Sequence, residues 1–378
     1  MATLRVILDQ LAAPVPGGIG RYTEELTRHL ISTAPAGCEV EGVTSALTGE
    51  QAADIEAKVP GLVRLRQSLL ARRGLATAWQ FGIATSTKHN MIHAPSLLAP
   101  LRPHDHVNNP GDQIAVTIHD VVPWTHPETL TKHGVSWHKA MAKRAKKYAD
   151  AIVVPTHAVA NELAEILGGE DRIRVIGGAV SSSLAVPPDA NTRAHALNLP
   201  TDFILSVGTL EPRKGLTELI QALALPDAPA LPLLVVGPPG WGDLDVAAVA
   251  NQAGLPEGRV RTLGFVSDTD LAIILDRATM FVYPSFAEGF GLPVIEAFHL
   301  GTPVIHSDAP ALLEVGADAG LVVERGGAEY PERLAHALTR LATDSELAMQ
   351  LSVAGRDRAR AFSWRDSAER VWQLHADL

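Results

Sequence analysis

At 378 residues the chain is too long for one ordinary core and suits two α/β domains of similar size. Hydrophobic residues make up 46% and charged residues 20%, which excludes a disordered or low-complexity protein. A formal net charge of −10 argues against broad nucleic-acid affinity, because a binder of phosphate backbones needs a surplus of lysine and arginine. The first residues carry neither a basic leader nor a long apolar run, and no stretch approaches the roughly 20 apolar residues of a membrane span, so a soluble, cytoplasmic protein is expected. The single cysteine, Cys38, cannot form an intrachain disulfide and reads as a packed strand residue in a reducing compartment.

Short β-branched runs at residues 4–9, 114–118, 151–155, 203–207, 233–236, 280–284 and 303–306 alternate with amphipathic stretches, among them helices expected at 21–31 and 216–223. Continuous apolar runs of this length are strands buried on both faces, and the alternation predicts parallel sheets built from right-handed βαβ units. Residues 177–200 are rich in Gly, Ser, Pro and Asn, which predicts an interdomain linker at 181–197 between doubly wound halves at 1–180 and 198–360. Near the end, Ser363 followed by Asp366 reads as an N-cap with an acidic first turn, opening a last helix at 364–378 that is expected to pack back on the first half. Two basic clusters stand out against the acidic total: Arg64, Arg66, Arg72 and Arg73, and then Lys139, Lys143, Arg144, Lys146 and Lys147. They read as solvated faces or as attraction to an anionic membrane or a phosphorylated acceptor.

Four segments carry chemistry. After the first strand, Gly17, Gly18 and Gly20 sit where backbone amides can approach an anion at a helix start, although a tight turn would need glycine as well. His119 and Asp120 follow the strand at 114–118, at the end where open α/β sheets bind ligands; a structural histidine is the alternative. In the second half, Gly208, Thr209 and then Arg213-Lys214-Gly215 run from strand to helix. Cations at a helix start oppose its dipole, and an anion between them and the amides relieves the conflict, so a diphosphate fits. Most specific is Glu288-Gly289-Phe290-Gly291-Leu292-Pro293-Val294-Ile295-Glu296, with Pro293 suited to the first helical turn, two glycines before it, and two carboxylates flanking an amide-lined pocket.

On these residues the chain resembles glycosyltransferase family 4, in its mannosyltransferase-like subset. The likeness covers the Gly17–Tyr22 loop, Ile118-His119-Asp120, Arg213-Lys214, the Glu288 to Glu296 motif and Gly301-Thr302-Pro303-Val304. The resemblance implies the GT-B fold, two Rossmann-like domains facing an interdomain cleft, and metal-independent transfer with retention of configuration. It implies no cofactor beyond a nucleotide diphosphate sugar donor, GDP-mannose favoured and a UDP-hexose the other choice, and a glycan or lipid-linked acceptor. Position by position, Arg213 and Lys214 would neutralise the donor diphosphate with help from amides at Gly17, Gly18 and the Gly291 to Pro293 turn, and Gly208, Gly289, Phe290 and Leu292 would also line the donor site. Glu296 would bind the ribose, Glu288 the hydroxyls of the transferred sugar, and His119 that same sugar from the other half. Many members carry a further arginine where this chain has Thr209, which puts more weight on Arg213. Closure of the two halves over the donor is also expected, with the linker as hinge.

Rival readings remain at this level. Asp243-Leu244-Asp245 and Asp268-Thr269-Asp270 have the Asp-X-Asp spacing of metal-dependent transferases, yet both adjoin helix starts and read as caps. His104, His106, His126 and His133 lack a ligand constellation and read as loop residues rather than a zinc site. A sugar-nucleotide epimerase or an inactive sugar-nucleotide-binding regulator would share the fold.

Overall fold

The computed structural model describes residues 2–13, 17–83, 91–105, 108–240 and 244–378. Pro16, His106 and Asp243 lie outside the described residues. The chain divides into two compact units: residues 1–125, 132–178 and 363–378 form the first, and residues 126–131 and 179–362 the second.

The first unit holds seven strands, β1 (Ala2–Ile7), β2 (Cys38–Thr44), β3 (Arg64–Gln67), β4 (Met91–Ala94), β5 (Gln113–Thr117), β6 (Ala151–Val154) and β7 (Ile173–Val175), in the order β3-β2-β1-β4-β5-β6-β7. Every pairing is parallel. The chain winds outward from β1 through β2 to β3, then returns to β4 on the other side of β1. The β1/β4 junction is therefore a topological switch point, where crossovers leave in opposite directions and open a crevice at the carboxyl ends.

The second unit repeats the plan with β8 (Ile204–Val207), β9 (Leu233–Val236), β10 (Val260–Gly264), β11 (Met280–Tyr283), β12 (Val304–Ser307) and β13 (Leu321–Val323), ordered β10-β9-β8-β11-β12-β13 and parallel throughout. Its switch point lies between β8 and β11. Alternate strand residues face opposite layers: Phe203, Leu205 and Phe281 join one apolar cluster, while Ile204, Met280 and Val282 join the other. Both faces are covered by helices, which is why these strands read as unbroken apolar runs.

Several strands escape a reading by hydrophobic run. β3 has the sequence Arg-Leu-Arg-Gln at the sheet edge, and its charges are used across strands: Arg66 donates to Glu41 at 2.6 and 3.0 Å, and Arg5 to the same carboxylate at 3.0 Å. With Arg72 paired to buried Asp9 at 3.1 Å, the first basic cluster is partly neutralised within its own unit. Residues 181–197, expected as a linker, fall in the second unit and contain a helix, Ala190–Ala196, tied down by Arg193 to Asp270 at 3.1 Å. The glycine-rich turn expected before residue 21 is itself helical, since the helix Gly17–Ser32 opens on those glycines.

The last helix, Trp364–Asp377, is capped by Ser363, whose Oγ accepts from the Asp366 amide at 3.3 Å. It packs on Gly17–Ser32 with Ala368, Val371, Trp372 and Leu374 buried, and the Trp372 indole donates to the Leu30 carbonyl at 3.0 Å. Among the described residues no helix is long and apolar enough to cross a membrane.

Candidate active site

In the second unit, the loop after β8 and the loop after β11 meet at the switch point. Phe286 N donates to Arg213 O at 2.8 Å and Arg213 Nη1 to Ala287 O at 3.0 Å, so each loop fixes the other's backbone. Gly215, in a left-handed conformation, allows this approach: a Cβ there would fall 2.2 Å from the Pro284 oxygen. Behind the loop, Tyr330 donates to Pro284 O at 2.9 Å.

This scaffold gathers five polar side chains. Lys214 Nζ lies 2.6 Å from Glu288 Oε1 and donates to the Tyr283 hydroxyl at 2.9 Å. Arg213 Nε pairs with Glu211 at 2.9 Å, and its Nη1 is 3.6 Å from Glu288. Burial works against ionisation of Glu288, but the fields of Lys214 and Arg213 outweigh it and hold the carboxyl below its usual range. Burial likewise pulls Lys214 below the ordinary lysine value, opposed by Glu288. Burial, reinforced by Glu288, keeps the Tyr283 phenol protonated well above its normal value. Two cations and two carboxylates balance here, so the cluster is held together before any ligand arrives.

Arg213, Lys214 and Glu288 are thus brought together as ion pairs. Glu211 and Tyr283 complete the group without having been singled out in the sequence. Tyr283 ends β11 at the switch point, and that position is the signal by which it could have been found. Gly291 caps the helix Leu292–Leu300 in a left-handed conformation, where a Cβ would meet Leu312 at 2.6 Å. Pro293 sits in the first turn, and the Val294 amide already donates to Gly291 O at 2.9 Å. Because proline has no N–H and the next amide is already used, the amides expected at the Gly291 to Pro293 turn narrow to those of Gly291 and Leu292. Phe290 packs edge-on against Phe362, and Glu296 is buried in the helix.

Of the Asp-X-Asp residues described, Asp245 caps its helix, whereas Asp268 and Asp270 lie in the first turn of a helix capped by Ser267. Asp245 accepts from Ala248 N at 3.0 Å; Asp268 accepts from Ser183 at 2.6 Å, and Asp270 pairs with Arg193. His104 is more than a loop residue, because it is bonded to Asp150 at 2.8 Å and raised by that carboxylate above the ordinary imidazole value.

In the first unit, His119 follows β5 beside the β1/β4 switch point. Its Nε2 lies 2.7 Å from the Pro95 carbonyl and its ring meets Tyr22 edge-on at 4.8 Å. Burial lowers its pKa despite Pro95 and Asp120, so the neutral ring donates from Nε2 and presents Nδ1 as an acceptor. It lines a cavity of about 280 Å³ that also includes Gln10, Arg72, Ser96 and Asp120.

Two family profiles divide the chain between them: "Glycosyltransferase Family 4" matches residues 16–184 and "Glycosyl transferases group 1" residues 189–358. Similar proteins include the O-antigen chain mannosyltransferase B of Escherichia coli, 32% identical over 92% of this chain and 93% of that one. Among solved structures, sucrose-phosphate synthase of Thermosynechococcus elongatus superposes with a TM-score of 0.74 at 22% identity, covering 100% of this chain and 99% of the other. HepE of Anabaena, solved in complex with UDP and glucose, gives 0.75 at 18% identity with complete coverage of both chains. The paired Rossmann-like units are the GT-B fold.

Proposed function

The chain belongs to glycosyltransferase family 4, and from that premise we propose that it transfers a hexose with retention, mannose from GDP-mannose in first place and a UDP-hexose in second, to a hydroxyl of a glycan or lipid-linked acceptor. The observation that carries this reading is the Arg213–Lys214–Glu288 cluster at the carboxyl ends of β8 and β11, where doubly wound sheets bind nucleotides. The mannosyl donor and the polysaccharide context are supported by the E. coli relative, and the nucleoside diphosphate by the UDP complex of HepE.

The chemical difficulty is departure of a nucleoside diphosphate while positive charge develops on the sugar. Fixed cations and amides in a dry site stabilise that leaving charge without reorganising. A lysine ammonium has three protons to donate, and Lys214 uses two of them on Glu288 and Tyr283. Its third can be given to a phosphate oxygen. Glu288 holds Lys214 in place and takes sugar hydroxyls on its second oxygen; it is not a covalent nucleophile in this scheme. Glu296 holds the ribose, and the neutral His119 accepts from a hydroxyl of the transferred sugar. Retention follows when the acceptor attacks on the face that the diphosphate leaves, passing its proton to a phosphate oxygen.

Incubation with GDP-mannose or a UDP-hexose and a mannoside acceptor, read by NMR at the anomeric carbon, tests the scheme. An inverted product, loss of turnover in excess chelator, or a sugar altered in the absence of acceptor would each overturn it. We also place the helix Lys132–Tyr148, with six cations and no carboxylate, against an anionic membrane surface. Equal flotation with neutral and anionic vesicles would refute that placement.

A further inference from the structure

His119 is held from two sides, and the two holds do different work. Its Nε2 donates to the Pro95 carbonyl at 2.7 Å, which leaves Nδ1 as the acceptor. One hydrogen bond fixes one corner of a ring, and the last torsion of a histidine side chain is broad. Turning the ring by half a revolution exchanges Nδ1 with a carbon, and a neutral hydrogen bond resists that by no more than about tenfold. A second constraint on the ring plane is therefore needed if Nδ1 is to face a sugar hydroxyl in every molecule.

Tyr22 supplies that constraint. Its ring stands at 87° to the imidazole with the centroids 4.8 Å apart, within the range of an edge-on aromatic pair. Tyr22 also meets Trp364 edge-on at 5.4 Å, and both residues are buried. Trp364 opens the last helix, and Trp372, eight residues on, donates to the carbonyl of Leu30, eight residues beyond Tyr22. Equal spacing on the two helices means that they run in the same direction for two turns, so Trp364 is a fixed wall against Tyr22. The Tyr22 hydroxyl lies beside Thr117, and burial pushes the phenol up to about 12, so it stays neutral. Among the described residues no hydrogen bond joins it to the imidazole, which leaves the ring itself as what orients His119.

We propose that Tyr22 is a positioning residue for the transfer step: its ring, backed by Trp364, sets the plane of the His119 imidazole and keeps Nδ1 turned to the sugar. The proposal deepens the glycosyltransferase reading and rests on it for the reaction. The lock on the ring can be read without turnover.

The test labels the histidine nitrogens of the full chain and compares the parent with Tyr22→Leu and Tyr22→Phe by NMR, the His119 signals being identified by their loss in His119→Ala. The parent and Tyr22→Phe should each show one imidazole with its proton on Nε2, whereas Tyr22→Leu should show a second tautomer or averaged nitrogen shifts. Unchanged His119 signals in Tyr22→Leu would overturn the proposal. Turnover of GDP-mannose with a mannoside acceptor, measured on the same preparations, forms a double-mutant cycle. Tyr22→Leu should lower kcat by about tenfold, and Tyr22→Phe should recover most of that loss. When His119 is already alanine, Tyr22→Leu should cost less than about twofold more. An equal loss in both backgrounds would mean that Tyr22 acts through general packing, and would overturn the assignment. If Tyr22→Leu does not fold, Tyr22→Met, which keeps more of the volume without a flat ring, takes its place with the same expectations. A single locked tautomer in a chain that transfers no hexose from either donor would instead overturn the transferase reading and leave the lock on the ring standing.

Discussion

Replacing Lys214 by methionine keeps the length of the side chain and removes its charge. Lys214 and Glu288 are both about nine-tenths buried, 11% and 9% exposed, and their charged atoms are 2.6 Å apart. At an effective dielectric of about 20, such a contact has a gross attraction of ~6 kcal/mol, most of it offset by desolvation of the two ions. The variant keeps the cost of burying Glu288 and loses the compensation, leaving only Arg213 at 3.6 Å. Breaking a buried pair from one side costs about 3–5 kcal/mol. In a unit of this size, ~1 kcal/mol moves the melting midpoint by about 2–4 °C, so a fall of at least about 6 °C is expected. Adding Glu288→Gln removes the stranded charge and should restore most of that stability. Turnover behaves differently: the single variant loses roughly 10²–10³ in kcat through the leaving group, and the double variant does not regain it. Denaturation curves and donor consumption, measured on the same preparations, complete the cycle. A single variant that melts within about 1 °C of the parent would refute the buried-pair account, since surface-like changes stay near ±0.5 kcal/mol. A double variant that recovers turnover would refute the role assigned to Lys214.

Three further predictions concern stability. His93 and His375 face each other at 5.7 Å inside the first unit, and burial lowers them to about 3 and about 4, the neighbouring ring adding to the effect on His93. A folded pKa below the unfolded value gives stability that is full above pH ~6.5 and is lost as pH falls towards the folded values. Near pH 5, where each unfolded histidine binds about one more proton than the folded one, His93→Leu should flatten the stability–pH slope by about 1.3 kcal/mol per unit in urea titrations; an unchanged slope would count against it. Gly215→Ala should destabilise by more than ~2 kcal/mol, combining left-handed strain with the clash at Pro284 O, whereas parental stability would mean that the loop is free to move. Truncation after Phe362 uncovers partners of Val371, Trp372 and Leu374, each contributing about 1.5–3 kcal/mol, against a total stability of about 5–15 kcal/mol. The first unit should then be largely unfolded by hydrogen exchange, and native protection of β1 would contradict this.

Much of the fold is legible in the residues because buried parallel strands announce themselves as apolar runs. β8, β9 and β11 lie where such runs stand, and so does the helix Leu216–Leu223. β3 and β13 are missed for the converse reason: a polar edge strand such as Arg64–Gln67 has no face to hide, and a three-residue strand has no period. The helix Ala190–Ala196 lies in a stretch whose Gly, Ser and Pro content suggests a linker, but its hold on Asp270 involves a residue far away in sequence.

Composition, periodicity and the spacing from Glu288 to Glu296 determine by themselves that the chain builds two sheets with glycine-rich loops at their carboxyl ends. Only the tertiary structure decides which charges meet there. Lys214 and Glu288 are 74 positions apart in sequence yet form one ion pair, and Arg72 is cancelled by Asp9 across the first unit. Periodicity arises from each residue's local geometry along the backbone, whereas electrostatic balance depends on distance and burial through space. For that reason residues recognisable as cations in the sequence become, in the fold, members of neutralised ion pairs.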